Sequence, residues 1–246
     1  MKILVLISKV PDTTTKIQFK DGDTQFDESN VQWIINPTDE WYALVRGIEV
    51  KEATGGTVTV INVGEAENDA IIRKALAIGA DDAIRINANP TDAYFVANQI
   101  AAVAKEGGYD LVFTGKESIS YNGGQIGSML SEMLDIPYVS LATKMTLDGN
   151  TATIEREVEG GVEVVQCALP MLVSASKGLA EQRIPNMRGI MGARSKPLTV
   201  VEPTDNTKAT EIVSYELPEG RVACKMINAD NIRELVDLLH NEAKVI

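Results

Sequence analysis

The chain has 246 residues, 44% hydrophobic and 24% charged, with a formal net charge of −12. That length supports one large core, or one core and a smaller appendage, in an ordinary globular protein. The acidic balance argues against a nucleic-acid binder, which presents a basic face to phosphates, and no apolar run approaches the ~18 residues of a membrane span. The opening MKILVLISKVPD is too short and too soon polar for a signal peptide and suits a first buried strand. Cys167 and Cys224 stand in no metal or redox spacing and read as reduced thiols of a cytoplasmic protein. The single histidine, His240, reads as a solvated side chain on a closing helix, which argues against histidine-based catalysis or metal binding.

In chain order, Ile3–Ser8 predicts a strand followed by the loop Ser8-Lys9-Val10-Pro11-Asp12. A polar, threonine-rich stretch runs to Val31, with a turn at Asp21-Gly22-Asp23. Asn36-Pro37-Thr38-Asp39-Glu40 supplies capping types and first-turn acids for a helix to about Ala53. Strand Thr57–Val63, helix Ala66–Ile78, strand Asp82–Ile86 and a helix opened by Asn89-Pro90-Thr91 follow in alternation. Such alternation implies an α/β fold, a parallel sheet with helices on both faces.

The most informative stretch is Thr114–Leu130, TGKESISYNGGQIGSML. It follows the apolar run Tyr109–Phe113 and leads into Gln125–Leu134, whose apolar residues recur at helical spacing. A strand, a polar Gly-rich loop and a helix N-terminus form an arrangement that binds anions, because free N–H groups and the helix dipole converge. Gly123 and Gly124 would permit close approach, and Ser118, Ser120, Asn122 and Gln125 offer side-chain hydrogen bonds. Neither GxxxxGK[ST] nor GxGxxG is present, and the same spacing also suits an ordinary βα loop with two turn glycines. Ser8–Asp12, Val63-Gly64 and the loop from Thr114 should converge outside the carboxyl ends of the strands.

From Tyr138 the pattern changes to short strands at Val139–Thr146, Thr151–Val158, Val162–Ala168 and Met171–Ala175. Asp148-Gly149-Asn150 and Gly160-Gly161 are hairpin signals, so an antiparallel extension of the sheet is expected. Gln182–Lys196 reads as a loop with four positive charges and no acid. Pro197–Arg221 shows little periodicity, and Asn231–Glu242 reads as a helix with Ile232, Leu235, Val236 and Leu239 on its apolar face. A long irregular tail is unusual inside a compact domain and suits an arm reaching a partner.

Four stretches in this order resemble the beta subunit of electron transfer flavoproteins. They are SKVPD at Ser8–Asp12, INPTDE at Ile35–Glu40, Gly115–Met129, and Glu155–Lys196 with REVEGG and IPNMRGIMGARSKP. The resemblance implies an adenine-nucleotide-binding α/β domain over residues 1–198, which includes a recognition loop at 182–196. It also implies a C-terminal arm and helix, 199–246, docking on an alpha subunit. It further implies a heterodimer whose FAD is held mainly by the alpha subunit, with a structural AMP in this chain. Such a heterodimer takes electrons from flavoprotein dehydrogenases of the acyl-CoA dehydrogenase type and passes them to a quinone reductase or other acceptor. The chain would then be an electron carrier and not itself a bond-making enzyme.

Carried over position by position, nucleotide contacts fall at Leu6, Asn36, Pro37, Thr38, Asp39, Val63 and Lys116. They continue through Ser120, Tyr121, Asn122, Gly123, Gly124, Gln125, Ile126, Gly127, Ser128, Met129, Leu130 and Ser131. Met187 matches an exposed apolar anchor for the dehydrogenase, flanked by Arg188, Ile190 and Met191; its alternative is a loop residue folded under its own chain. Glu157 matches a glutamate that biases the partner's mobile flavin domain, or is simply a solvated hairpin charge. Ser120–Ser128 departs both from the DGDTAQVGP wording of bifurcating members, which hold a second FAD and oxidise NADH, and from the DNNQTGQ of AMP-binding members. AMP is the favoured expectation, with a second FAD as its alternative and a stand-alone nucleotide-binding signalling domain as a third reading.

Overall fold

The computed structural model describes residues 1–204, 207–221 and 223–246. Strand β1 (Lys2–Leu6) leads into two small ribbons, in which β2 (Lys9–Pro11) pairs with β5 (Trp33–Ile35) and β3 (Phe19–Lys20) with β4 (Gln25–Phe26). Then α1 (Asp39–Thr54), β6 (Thr57–Val63), α2 (Asp69–Ile78), β7 (Asp82–Ile86), α3 (Ala93–Gly107), β8 (Leu111–Gly115) and α4 (Ile126–Leu134) alternate. They are followed by β9 (Tyr138–Asp148), β10 (Thr151–Val158), β11 (Gly161–Ala168), β12 (Met171–Ala175), α5 (Met187–Ala193), β13 (Leu198–Val201) and α6 (Ile232–Asp237).

Nine strands form one sheet in the order β11-β10-β9-β12-β8-β1-β6-β7-β13. All run parallel from β9 to β13 across this order, and β10 is antiparallel to both of its neighbours. Side chains alternate across the plane. Ile3, Val5 and Ile7 pack with α1 and α2 on one face, and Leu4 and Leu6 with α3 and α4 on the other. Burial on both faces explains why the central strands are continuous apolar runs. Each fully buried Val, Leu or Ile there stabilises by ~1.5–3 kcal/mol before entropy is counted.

The parallel α/β sheet and the antiparallel β9–β10–β11 extension stand as expected, but three local readings need correction. Met171–Ala175 does not join the antiparallel extension; as β12 it lies between β8 and β9, parallel to both and buried throughout. A run without alternation signals such two-sided burial, and a topology drawn in sequence order missed it. The segment 182–196 is not wholly a loop, because Asn186 accepts the Gly189 N–H at 2.8 Å and starts α5. The stretch after Pro197 contributes β13, an edge strand that runs through the junction at residue 198 by pairing Leu198 with Ala83 and Val201 with Ile86. The closing helix is α6 followed by a wider π turn at Leu238–Glu242, and His240 is exposed as expected.

Candidate functional site

After β1 the chain builds outward to one side through β6 and β7, then returns to place β8 on the other side of β1. The gap between the carboxyl ends of β1 and β8 is therefore the topological switch point, where the connecting loops diverge and leave a crevice. Three segments meet there: the turn after β1, the start of α1, and the loop from Lys116 to Gln125.

Side-chain bonds tie them together. The Ser8 N–H and hydroxyl both donate to the Glu40 carboxylate, at 2.6 and 2.7 Å. The Asn36 amide donates to the Glu117 carbonyl at 2.7 Å. Gly115 ends β8 against the first turn of α1, where a Cβ would lie 2.9 Å from Glu40 Cγ and 3.1 Å from Asp39 Cβ. The ends of β1 and β6, at Leu6 and Val63, are fastened by Asn62, whose amide donates to the Ile7 carbonyl at 2.8 Å while its oxygen accepts from Asn68.

Two acceptors in this cluster are left over. Asn36 Oδ1 and Asp39 Oδ2 are buried and meet no hydrogen-bond donor among the described residues. A buried carboxylate oxygen without a donor costs roughly 1–3 kcal/mol or more, so its retention calls for an explanation. Burial pushes the Asp39 carboxyl up, opposed by the nearby Lys116 ammonium. Burial also raises Glu40, to about 7, against the lowering effect of its two bonds from Ser8.

The Gly-rich loop is held by its own backbone. The Asn122 N–H donates to the Ser118 carbonyl at 2.8 Å and the Ser118 N–H to the Gly123 carbonyl at 3.1 Å. Asn122 takes a left-handed φ of 50°. The Ser118 and Ser120 hydroxyls lie 2.7 Å apart. Gly124 passes so near the Lys116 carbonyl that a Cβ would come within 2.9 Å. The first backbone bond of α4 runs from the Met129 N–H to the Gln125 carbonyl, so the N–H groups of Ile126, Gly127 and Ser128 have no intrahelical acceptor. Together with the dipole they give this end of the crevice a positive potential.

The structure thus brings Asn36, Asp39 and Lys116 together where β8 ends, with Gly124 of the loop against the Lys116 carbonyl. It does not bring every expected side chain there. Leu130 is fully buried in the core with Val112 and Leu172, and the Ser131 hydroxyl donates to the Ser128 carbonyl at 2.9 Å. Tyr121 points outward at 70% exposure and meets the Tyr215 hydroxyl from the C-terminal segment. Ser8, Glu40 and Gly115 lie within the stretches that the sequence singles out, with Ser8–Asp12 expected at the strand ends, but the sequence assigns none of the three a site role; Glu40, directly after Asp39, looks like an ordinary first-turn acid.

A second cluster lies around α5. Ile184, Met187 and Met191 are 87%, 73% and 70% exposed, with Ile190 and Arg188 also at the surface. Gly189 rests on α2, where a Cβ would come within 2.4 Å of the Ala77 carbonyl. Arg73 from α2 donates to the Ala193 and Lys196 carbonyls at 2.8 and 2.6 Å, which fixes the end of α5. Trp41 of α1 donates to the Arg183 carbonyl at 3.2 Å, and Arg183 forms a two-pronged pair with Glu52 at 2.7 and 2.8 Å. Glu157 is exposed on β10 opposite Val162.

Past β13, the segment crosses the strand ends. The N–H groups of Ala209 and Thr210 donate to Asp92 at 2.6 and 2.8 Å. Tyr215 stacks on Phe19, with ring centroids 4.7 Å apart, and its N–H donates to the Asp23 carbonyl at 2.7 Å. Val213 just before it and Leu217, Met226, Ile232 and Val236 beyond it expose apolar surface, and α6 buries none of its residues. Among the described residues no group of His, Cys, Asp and Glu could hold a metal ion, and no helix is long and apolar enough to cross a membrane.

These features define an α/β protein of the doubly wound kind, with a polar crevice at its switch point and a long, apolar-studded extension. A sequence model described as the electron transfer flavoprotein domain matches residues 23–206. The chain is 38% identical to electron transfer flavoprotein subunit beta of Bacillus subtilis (strain 168), over the whole of both chains. It is 32% identical to the subunit beta of Thermoanaerobacterium thermosaccharolyticum over 97% of this chain and 96% of that one. It is 32% identical to the human subunit beta over 91% of each. The chain belongs to the electron transfer flavoprotein family, within its beta-subunit branch, and that membership carries an electron transfer flavoprotein role.

Proposed function

We propose that this chain is the beta subunit of a heterodimeric electron carrier and that its switch-point crevice holds a structural AMP. The observation that carries the reading is the pair of buried acceptors without donors, Asn36 Oδ1 and Asp39 Oδ2, beside the segment Gly115–Glu117 that leads into the glycine loop and α4. Adenine and ribose offer the donors these oxygens lack, and a phosphate suits the helix terminus with Ser118, Ser120 and the backbone of 123–127. The nucleotide would glue three loops together and take no part in redox chemistry.

The alpha subunit is the partner of the exposed arm, where Leu217, Met226, Ile232 and Val236 would be covered. FAD held with that subunit supplies the redox chemistry when bound. Met187, with Ile190 and Met191, serves as the anchor for flavoprotein dehydrogenases, since apolar anchors entering pockets dominate such interfaces. Electrons then leave to a quinone reductase or another acceptor, and Glu157 acts on the position of the flavin-bearing domain.

Co-expression with the neighbouring alpha subunit, followed by acid release and chromatography of nucleotides, tests this directly. One FAD and one AMP per heterodimer is the expected result. Two FAD and no AMP would replace it with a bifurcating, NADH-oxidising subunit. A stable, monodisperse chain that needs no partner would point to a stand-alone nucleotide-binding domain.

A further inference from the structure

Between α2 and α5 lies a groove of about 580 Å³, lined by Ala70, Arg73, Lys74, Ala77, Ile190 and Arg194 among others. Its floor is apolar, and its lining carries three cations and no carboxylate. In a chain of net charge −12 this is a local reversal of the prevailing field. The three cations stand differently. Arg73 is tied down by the two carbonyls at the end of α5. Lys74 rests over the Trp41 ring, 4.9 Å from its centroid. Arg194 is exposed at the end of α5.

We infer that this groove receives an acidic, amphipathic helical segment of the electron donor, with its carboxylates against Lys74 and Arg194 and its apolar face on Ala77 and Ile190. The inference rests on the reading of Met187 as the donor anchor and adds a second, charge-reading contact from a different element. Charge complementarity selects the occupant, because a basic or neutral helix would leave Arg194 and Lys74 opposed or unmatched. A groove between two helices with an apolar floor and a charged rim suits a helix lying along it. The position also matters. The groove adjoins Met187 through Ile190, so one donor surface can engage the anchor and the rim together.

The test uses the co-expressed heterodimer and a purified acyl-CoA dehydrogenase, with the KM for the heterodimer measured from low to high salt. The double variant Lys74→Glu/Arg194→Glu should raise that KM on the order of tenfold at low salt, leave kcat unchanged, and lose its effect near 0.5 M salt. The milder Lys74→Gln/Arg194→Gln should fall between it and wild type, and nucleotide content reports that each variant is folded. An unchanged KM in the double variant, with Met187→Ala still raising it, overturns the groove and leaves the anchor standing. A lowered KM overturns it as well, since the occupant would then be basic. Were Met187→Ala equally silent, the donor-docking reading would fall together with the groove.

Discussion

The side-chain amide of Gln182 donates to the carbonyl oxygen of Pro37 at 2.6 Å, so the segment that carries Met187 is fastened two residues ahead of α1. Trp41 and Glu52, further along the same helix, hold Arg183. Helix α1 thus touches the crevice with its first turn and the 182–196 segment along its flank. Gln182→Ala should cost no more than about 1 kcal/mol in global stability, as one exposed hydrogen bond does. Hydrogen exchange in residues 182–194 should nevertheless rise, with exchange in residues 116–125 unchanged.

Arg183→Ala probes the neighbouring ion pair. Both partners are more than a third exposed, at 37% and 53%, so the pair contributes within the ~0–1 kcal/mol range of surface pairs. Thermal unfolding of the heterodimer should shift by no more than a few degrees. The 182–194 segment should loosen as it does in Gln182→Ala.

Glu40 makes stability depend on pH. Its carboxyl stands at about 7 when folded against 4.5 unfolded, so the folded state holds a proton that the unfolded chain has released. The associated stability is fully present below about pH 4.5 and is lost as pH rises through 7. At about 1.4 kcal/mol per pH unit the swing is on the order of 3 kcal/mol at most. Glu40→Gln should flatten this slope between pH 5 and pH 8 and be more stable than wild type at the upper end. Asp39, raised by burial, adds in the same direction.

Asp39→Asn replaces the buried, donor-poor carboxylate by a neutral amide. The nucleotide-free chain should gain stability, because burial disfavours the charged carboxylate more than Lys116 and its hydrogen bonds favour it. Retention of nucleotide should weaken tenfold or more, given the roughly 1.5–3 kcal/mol of a hydrogen bond to a charged group. Nucleotide released per heterodimer, set beside the unfolding midpoint with and without added AMP, measures both. A variant that lost stability while keeping its nucleotide would assign Asp39 to packing alone.

Gly115→Ala should be disproportionately harmful. The new methyl would meet Glu40 Cγ at 2.9 Å and Glu40 N at 3.1 Å, and so lever the first turn of α1 away from β8. Overpacking of this kind costs ~1–3 kcal/mol. Nucleotide content should fall with it, while Gly123→Ala, where nothing lies within 4 Å of a Cβ, should change stability far less.

Much of this architecture is legible in the chain because the hydrophobic period differs between strand and helix. Ile3–Ser8 and Thr57–Val63 read as buried strands, and Gln125–Leu134 as a helix beginning after Gly123 and Gly124. Topology is less legible. Nothing local tells Met171–Ala175 to enter between β8 and β9, since that choice belongs to pairing partners far away in sequence. Helix α5 was hidden by Gly189 and Gly192, poor helix formers; Gly189 is required by its close contact with α2 and Asn186 caps the helix, whereas nothing lies within 4 Å of a Cβ at Gly192. Glu40 was hidden for a subtler reason. An acid in the first turn of a helix ordinarily faces water and favours the dipole, and only the fold reveals that Ser8 covers it.

Gly189 seated on the Ala77 carbonyl and Arg73 gripping the end of α5 leave Ile184, Met187 and Met191 without structural duty. The outward surface of this segment is therefore decoupled from the foldability of the chain. Three side chains can drift in size and shape from one lineage to another while the scaffold beneath them stays fixed. On the proposed docking role, such an arrangement would let a single carrier be refitted to new electron donors by point substitution, with the crevice at the switch point under separate constraint.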